Sequence, residues 1–145
     1  MFNISQMTLN DLDSIKDILS SEFDDFWNYN IFKTELENAN SKYIIVKNID
    51  NEIVGFGGIK IILDEADIMN IVTKKTFRNN GIGSMILEAL IDLSKSINLK
   101  SINLEVNELN LPAIHLYSKF NFETIGIRNK YYDNTYNALI MTKKL

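Results

Sequence analysis

The stretch ADIMNIVTKKTFRNNGIGSMILEALIDL, Ala66 to Leu93, constrains this chain more than any other. Its first eight residues are rich in β-branched and apolar side chains and read as a strand, whereas Ile82, Met85, Ile86, Ala89, Leu90 and Leu93 recur at helical spacing. A second strand-like run, SINLEVN, follows the helix, so Ala66 to Val106 reads as a βαβ unit whose two strands lie parallel. The flanking segments have a different character. YIIVKN and EIVGFGGIKIIL meet at an Asp50-Asn51 turn, and FETIGI is followed by ALIMTKK, which are hairpin patterns and therefore antiparallel. One parallel crossover among hairpins predicts an α/β (α+β) domain: a mixed, mostly antiparallel central sheet with helices on both faces.

Phe2 and Ile4 alternate with polar neighbours as a first strand would. Leu12, Ile15, Ile18, Leu19 and Phe23 then mark one helix behind the capping candidates Asn10 and Asp11, and a second is predicted over Ile31 to Glu37. A short helix is expected from Pro112 to Lys119, with Pro112 in its first turn. The predicted order is β-α-α-β-β-β-α-β-α-β-β. With one proline and no Ser/Gly-rich tract, residues 1–145 are expected to form a single domain.

Composition narrows the chemistry. A net charge of −4 speaks against a general nucleic-acid binder, which needs a basic face. With no cysteine and a single histidine, His115, thiolate catalysis and a multi-histidine metal site are not expected. His115 lies off the apolar face of its helix and is expected to be exposed. No apolar run approaches bilayer-spanning length and the first residues lack a leader pattern, so no membrane association and a cytoplasmic location are expected.

Two glycines in the first turn of an otherwise good helix need a reason, because each costs about 1 kcal/mol relative to alanine. Arg78, Asn79, Asn80, Gly81, Ile82, Gly83 and Ser84 join a strand to a helix, where free backbone N–H groups and the positive dipole end converge. Phosphate suits such a place. Arg78 would add charge, and glycines would let oxygens approach the backbone. The dinucleotide fingerprint is incomplete and the P-loop ending is missing, so neither NAD nor ATP is indicated.

The R-x-x-G-x-G of Arg78 to Gly83, placed between strand and helix, resembles the pyrophosphate-binding signature of the GCN5-related N-acetyltransferase superfamily. DEADIMNIVT, INLEVNELNLPAIHLYSKFNF and IRNKYY resemble, within it, the bacterial ribosomal-protein-alanine N-acetyltransferases, over roughly Asp64 to Met141. Trp27, Phe32 and Leu36 resemble that family's pattern in the second helix. The resemblance implies acetyl-coenzyme A as cosubstrate, no metal, and a protein N-terminus, that of ribosomal protein S18, as acceptor. A monomer or weak dimer is expected.

What the resemblance implies for individual residues can be set beside their plain reading. Ser101, Asn103, Glu105 and Asn107 share one side of a strand and Ile102, Leu104 and Val106 the other, so Glu105 alone reads as a half-exposed surface carboxylate. The family's general base stands at this L-E-V. One carboxylate is sufficient to take the proton of an α-amine with a pKa of about 8. Ala113, Leu116, Tyr117 and Phe120 share a helix face, where Tyr117 reads as a core aromatic; the family's tyrosine at this L-Y protonates the departing thiolate. Asn110 reads as a helix cap, and matches the asparagine that binds the pantetheine arm. The strand Asn70, Ile71, Val72 and Thr73 should lie beside that arm, with Ile71 and Thr73 matching the family's backbone contacts. A backbone N–H there would also stabilise the oxyanion that develops on the acetyl carbonyl. Arg128, Tyr131 and Tyr132 match an R-x-x-Y-Y of the acceptor-binding loop between the last two strands. Asp64 and Glu65 are weaker candidates for holding the ammonium.

Asn121 replaces a glycine before Phe122, and asparagine tolerates the left-handed backbone that the turn needs. Asn137 stands where an acidic residue is usual and the loop before it is shorter, two changes that bear on acceptor specificity. A small amine, a polyamine or an antibiotic, is the alternative acceptor. A non-catalytic acetyl-coenzyme A binding module is disfavoured because Glu105 and Tyr117 are both present.

Overall fold

The computed structural model describes residues 1–23, 28–132 and 135–145, without the side chains of Tyr131 and Tyr132. The chain runs β1 (Asn3–Gln6), α1 (Leu9–Ser14), α2 (Leu19–Glu22), α3 (Tyr29–Glu37), β2 (Ser41–Lys47), β3 (Ile53–Ile62), β4 (Glu65–Thr73), α4 (Ile82–Ser96), β5 (Ser101–Asn107), α5 (Leu111–Lys119), β6 (Glu123–Tyr132) and β7 (Tyr136–Lys144). The strands form a seven-stranded sheet in the order β1-β2-β3-β4-β5-β7-β6. Among the described residues only β4 and β5 run parallel. The mixed sheet expected from the βαβ unit and its flanking hairpins is therefore the fold observed.

Helix α4 covers one face. Its buried stripe, Ile82, Ile86, Leu87, Leu90 and Ile91, packs with Ile44, Val46, Val54, Ile102, Leu104 and Val106. The close approach depends on β3: a Cβ at Gly57 would stand 2.5 Å from Ile86 Cγ2. On the opposite face Leu12, Ile15, Leu19, Phe23 and Phe32 pack with Tyr43, Phe56 and Val72. There a Cβ at Gly58 would stand 2.4 Å from the Tyr43 ring, so Gly57 and Gly58 identify the two faces of β3.

Three details differ from expectation. The first helix is broken, with a 3-10 turn at Lys16–Ile18 between α1 and α2. Ser14 Oγ donates to the Asp11 carbonyl, competing with the helical ladder, and Ile15 and Ile18 are β-branched residues that leave helical geometry. The cap is Thr8, not Asn10 or Asp11: Thr8 Oγ accepts the Asp11 N–H at 3.2 Å and Asp11 Oδ2 accepts the Thr8 N–H at 2.8 Å. Finally, Arg128, Tyr131 and Tyr132 stand in β6, not in a loop. A bulge between Arg128 and Tyr132 carries that strand onward, with Lys130 at φ 51° and its N–H donating to Asn137 Oδ1 at 2.8 Å.

Candidate active site

Strands β4 and β5 begin side by side and then part. Their pairing covers Glu65↔Ser101, Ala66↔Ile102 and Asp67↔Asn103, yet β4 continues to Thr73 and β5 to Asn107. Each keeps its other neighbour: β5 stays paired with β7 as far as Asn107↔Ala138, and β4 with β3 as far as Gly55↔Thr73. A bulge lies where they part, since Ile68↔Ile59 and Asn70↔Gly58 leave Met69 as the extra residue of β4. The result is a V-shaped opening in the middle of the sheet.

The backbone of β4 is exposed along one wall of this opening. The Lys74 N–H donates to the Val54 carbonyl of β3 at 2.8 Å. Alternation then directs the amides of Val72 towards β3 and those of Ile71 and Thr73 towards the edge that β5 has left. Val72 thus spends its amide on β3 and its side chain in the core, and of the three β4 residues only Ile71 and Thr73 offer backbone groups to the opening.

The N-terminus of α4 stands beyond the end of β4. Gly81 is the N-cap, at φ 77° and ψ 13°, and no side chain among the described residues caps the helix. The N–H groups of Ile82, Gly83 and Ser84 therefore lack the partners that a capping side chain provides. Nothing lies within 4 Å of a Cβ built at Gly81. Asn79 is also left-handed, at φ 66°, and Asn80 Nδ2 braces the turn on the carbonyls of Phe77 and Arg78 at 3.0 and 3.1 Å. Arg78 is exposed beside this cradle. The open, uncapped turn, with no Cβ at Gly81 or Gly83, fits a pyrophosphate, whose oxygens would take the three amides.

Helix α5 flanks the same turn, because a Cβ at Gly83 would stand 3.7 Å from Leu116 Cδ2. The half-buried face of α5, with Ala113, Leu116, Tyr117 and Phe120, rests on the α4 cluster, and the Tyr117 ring lies 5.7 Å from that of Phe122. Asn110 caps α5, its Oδ1 accepting the Ala113 N–H at 3.3 Å, which leaves Nδ2 as a donor at an exposed position. His115 is exposed on the outer side of the helix.

The other wall carries Glu105. Strand β5 alternates as its sequence predicts, with Ile102, Leu104 and Val106 buried under α4 and Glu105 on the opposite face. Arg128 reaches the carboxylate from β6, with Nε 3.1 Å and Nη2 2.6 Å from the same oxygen, Oε1. The register explains the meeting: Glu105 pairs with Ile140 and Ile140 with Gly126, so Arg128, two residues on, shares their face. Sequence reasoning assigned Arg128 to the acceptor and missed this contact; the only signal was a pair of opposite charges on strands not known to be near. The side chains of Tyr131 and Tyr132, and Trp27, lie outside the described residues.

Asp64 and Glu65 stand at the far end of the parallel pair, four residues before Glu105 in register, or about 13 Å along a strand. Glu65 accepts hydrogen bonds from Asn103 Nδ2 and Ser101 Oγ, which hold its carboxyl below the usual range, and Asp64 pairs with Lys100 at 3.2 Å. Neither carboxylate serves the opening. Among the described residues, no helix is long and apolar enough to cross a membrane.

The opened sheet beside an uncapped helix N-terminus suits a transferase that takes its group from a phosphate-bearing donor lying along β4. The model of the acetyltransferase (GNAT) family matches residues 12–122, and the chain belongs to that family. It is 36% identical over 140 residues to a putative ribosomal protein bS18-alanine N-acetyltransferase of Bacillus subtilis, covering 95% of this chain and 92% of the relative. It is 35% identical over 101 residues to the bS18-alanine N-acetyltransferase of Salmonella typhimurium, covering 69% and 68%. The crystal structure of the ribosomal-protein-S18-alanine N-acetyltransferase of Escherichia coli superposes with a TM-score of 0.88 at 27% identity, over 99% of this chain and 94% of that one. The protein is thus an N-acetyltransferase whose acetyl donor is acetyl-coenzyme A.

Proposed function

We propose that this enzyme acetylates the N-terminal α-amine of a protein, and that its acceptor is the N-terminal alanine of ribosomal protein S18. The observation that carries the reading is the placement of Glu105 on the open wall of the β4–β5 cleft. It is supported by relatives named for that reaction, one matching nearly the whole chain. Acetyl-coenzyme A supplies the thioester-activated acetyl group. The uncapped amides of Ile82, Gly83 and Ser84, with Arg78, hold its pyrophosphate, and the amides of Ile71 and Thr73, with Asn110 Nδ2, hold its pantetheine arm.

Arg128 occupies Oε1 of Glu105, so Oε2 is the oxygen that takes the proton of the acceptor ammonium, directly or through one water. Tyr117 supplies a proton at the leaving sulfur. The chain has no cysteine to carry the acetyl group, so the amine attacks directly with both substrates bound. Tyr131 and Tyr132 complete the acceptor groove in this reading.

The test is thiol release from acetyl-coenzyme A with three acceptors: a peptide copying the S18 N-terminus, the same peptide with its α-amine blocked, and spermidine. Turnover confined to the free-amine peptide is expected. Turnover with spermidine alone would keep the family and the cofactor site and overturn the acceptor.

A further inference from the structure

Asn70 stands out among the buried polar side chains. It is 7% exposed, and neither Oδ1 nor Nδ2 has a hydrogen-bond partner among the described residues. Leaving a buried carboxamide unpaired is costly, and such a group calls for an explanation in ligand or function.

Its place in the fold supplies one. Asp67 and Asn103 are the last pair before β4 and β5 part, and their side chains touch, Asn103 Nδ2 lying 3.5 Å from Asp67 Oδ1. On β5 the next residue on that face is Glu105. On β4 it is Asn70, because the bulge at Met69 makes Asn70, not Met69, two levels beyond Asp67. Asn70 pairs with Gly58, whose missing Cβ would point at Tyr43, so its side chain stands on the face away from α4. Glu105 stands on that same face, because Leu104 and Val106 are under α4. Asn70 and Glu105 therefore occupy the same level of the two walls, on the same face, with the opening between them.

We infer that Asn70 positions the acceptor: its Oδ1 accepts an N–H of the α-amine and its Nδ2 donates to the first backbone carbonyl, opposite Glu105. The inference rests on the peptide reading above and deepens it. A carboxamide offers an acceptor and a donor side by side. An N-terminal residue offers a donor and an acceptor in the matching order, whereas a polyamine has only donors and would leave Nδ2 unpaired. The bulge is what aims the group: without the extra residue, Met69 would stand at this level.

The experiment uses the full chain with Asn70→Leu, nearly isosteric and without either polar atom. Loss of these bonds is expected to lower kcat/KM for the S18 peptide about 10- to 100-fold, seen chiefly as a raised peptide KM. Acetyl-coenzyme A affinity by calorimetry is expected to be unchanged, and the melting temperature of the free enzyme unchanged or raised, because a buried unpaired group has been removed. If Asn70→Leu does not accumulate folded, Asn70→Ser is read in the same way. An unchanged peptide KM in an active variant overturns this inference alone. Weaker cofactor binding with a lowered melting temperature also overturns it, by making Asn70 structural. A wild-type enzyme that does not turn over the peptide overturns the acceptor reading and this inference with it.

Discussion

Arg128 places both Nε and Nη2 on one oxygen of Glu105, from a strand two removed in the sheet. The contact holds the carboxylate by Oε1 and leaves Oε2 to other partners, which is positioning by a side chain that need not touch substrate. Arg128→Ala is expected to lower kcat about tenfold while leaving acetyl-coenzyme A affinity intact, since a free carboxylate loses its orientation. Arg128→Lys should rescue only part, because a single ammonium cannot reproduce the two-donor grip. Steady-state kinetics decide the role: a raised peptide KM with kcat retained would show instead that Arg128 binds the acceptor.

Gly81 and Gly83 are expected to respond in opposite directions. Gly81 sits at φ 77°, so Gly81→Ala forces a left-handed alanine and should destabilise the protein by about 1–2 kcal/mol, although the space in front of it is open. At Gly83 a methyl group meets Leu116 at an ordinary 3.7 Å, and alanine is the better helix former by up to about 1 kcal/mol. Gly83→Ala should therefore raise the melting temperature by about 2–4 °C and, if the first-turn amides of α4 hold the pyrophosphate as proposed, still weaken acetyl-coenzyme A binding by adding a methyl beside them. Thermal melts and calorimetry on the two variants check both halves.

Much of this was legible because local patterns and tertiary demands agree. Ile82 to Leu93 repeat at helical spacing and form α4; SINLEVN alternates and is buried on alternate residues. Asn121 stands where a left-handed residue is needed and adopts φ 68°. What escaped were consequences of pairing between distant segments. The Arg128–Glu105 contact needs the register of three strands, and the burial of Asn70 on the opening depends on one extra residue at Met69. Helix boundaries in the first 23 residues escaped for another reason: side-chain bonds of Thr8 and Ser14 rival the apolar periodicity there.

Lys74 predicts a pH dependence of stability. It is 7% exposed and lies against Glu52 and, at 3.2 Å, Glu22. The hydrogen bond from Lys74 holds the Glu52 carboxyl below its ordinary 4.5, and the same bond holds the Lys74 ammonium above its ordinary 10.5 against the opposing effect of burial. A depressed carboxyl contributes stability above its unfolded pKa that is lost as pH falls through the folded value; a raised ammonium contributes below its unfolded pKa and loses it as pH rises through the folded value. The pair thus stabilises at neutral pH and weakens at both extremes. Lys74→Met should flatten the acid limb as pH falls below the ordinary carboxyl value of 4.5, while changing neutral stability by about 1 kcal/mol or less, because the two carboxylates remain well solvated. Denaturant titrations at three pH values measure it.

Tyr117→Phe separates a proton donor from a packing aromatic. Phenylalanine keeps the ring contact with Phe122 and the half-buried face of α5, so the affinity for acetyl-coenzyme A should change little. The catalytic effect should be modest. An ordinary thiol has a pKa near 8.5 and a phenol near 10, so protonation of the departing sulfur by the phenol is uphill by about 1.5 units, and thiolate is a tolerable leaving group without it. A fall in kcat of about 10- to 100-fold is expected, smaller than many acid–base residues give. The fall should shrink when the donor is an acetyl thioester of a more acidic thiol, which leaves as readily without help. An equal fall with both donors would assign Tyr117 to orientation of the thioester, and an unchanged kcat would leave it as part of the α5 packing face alone.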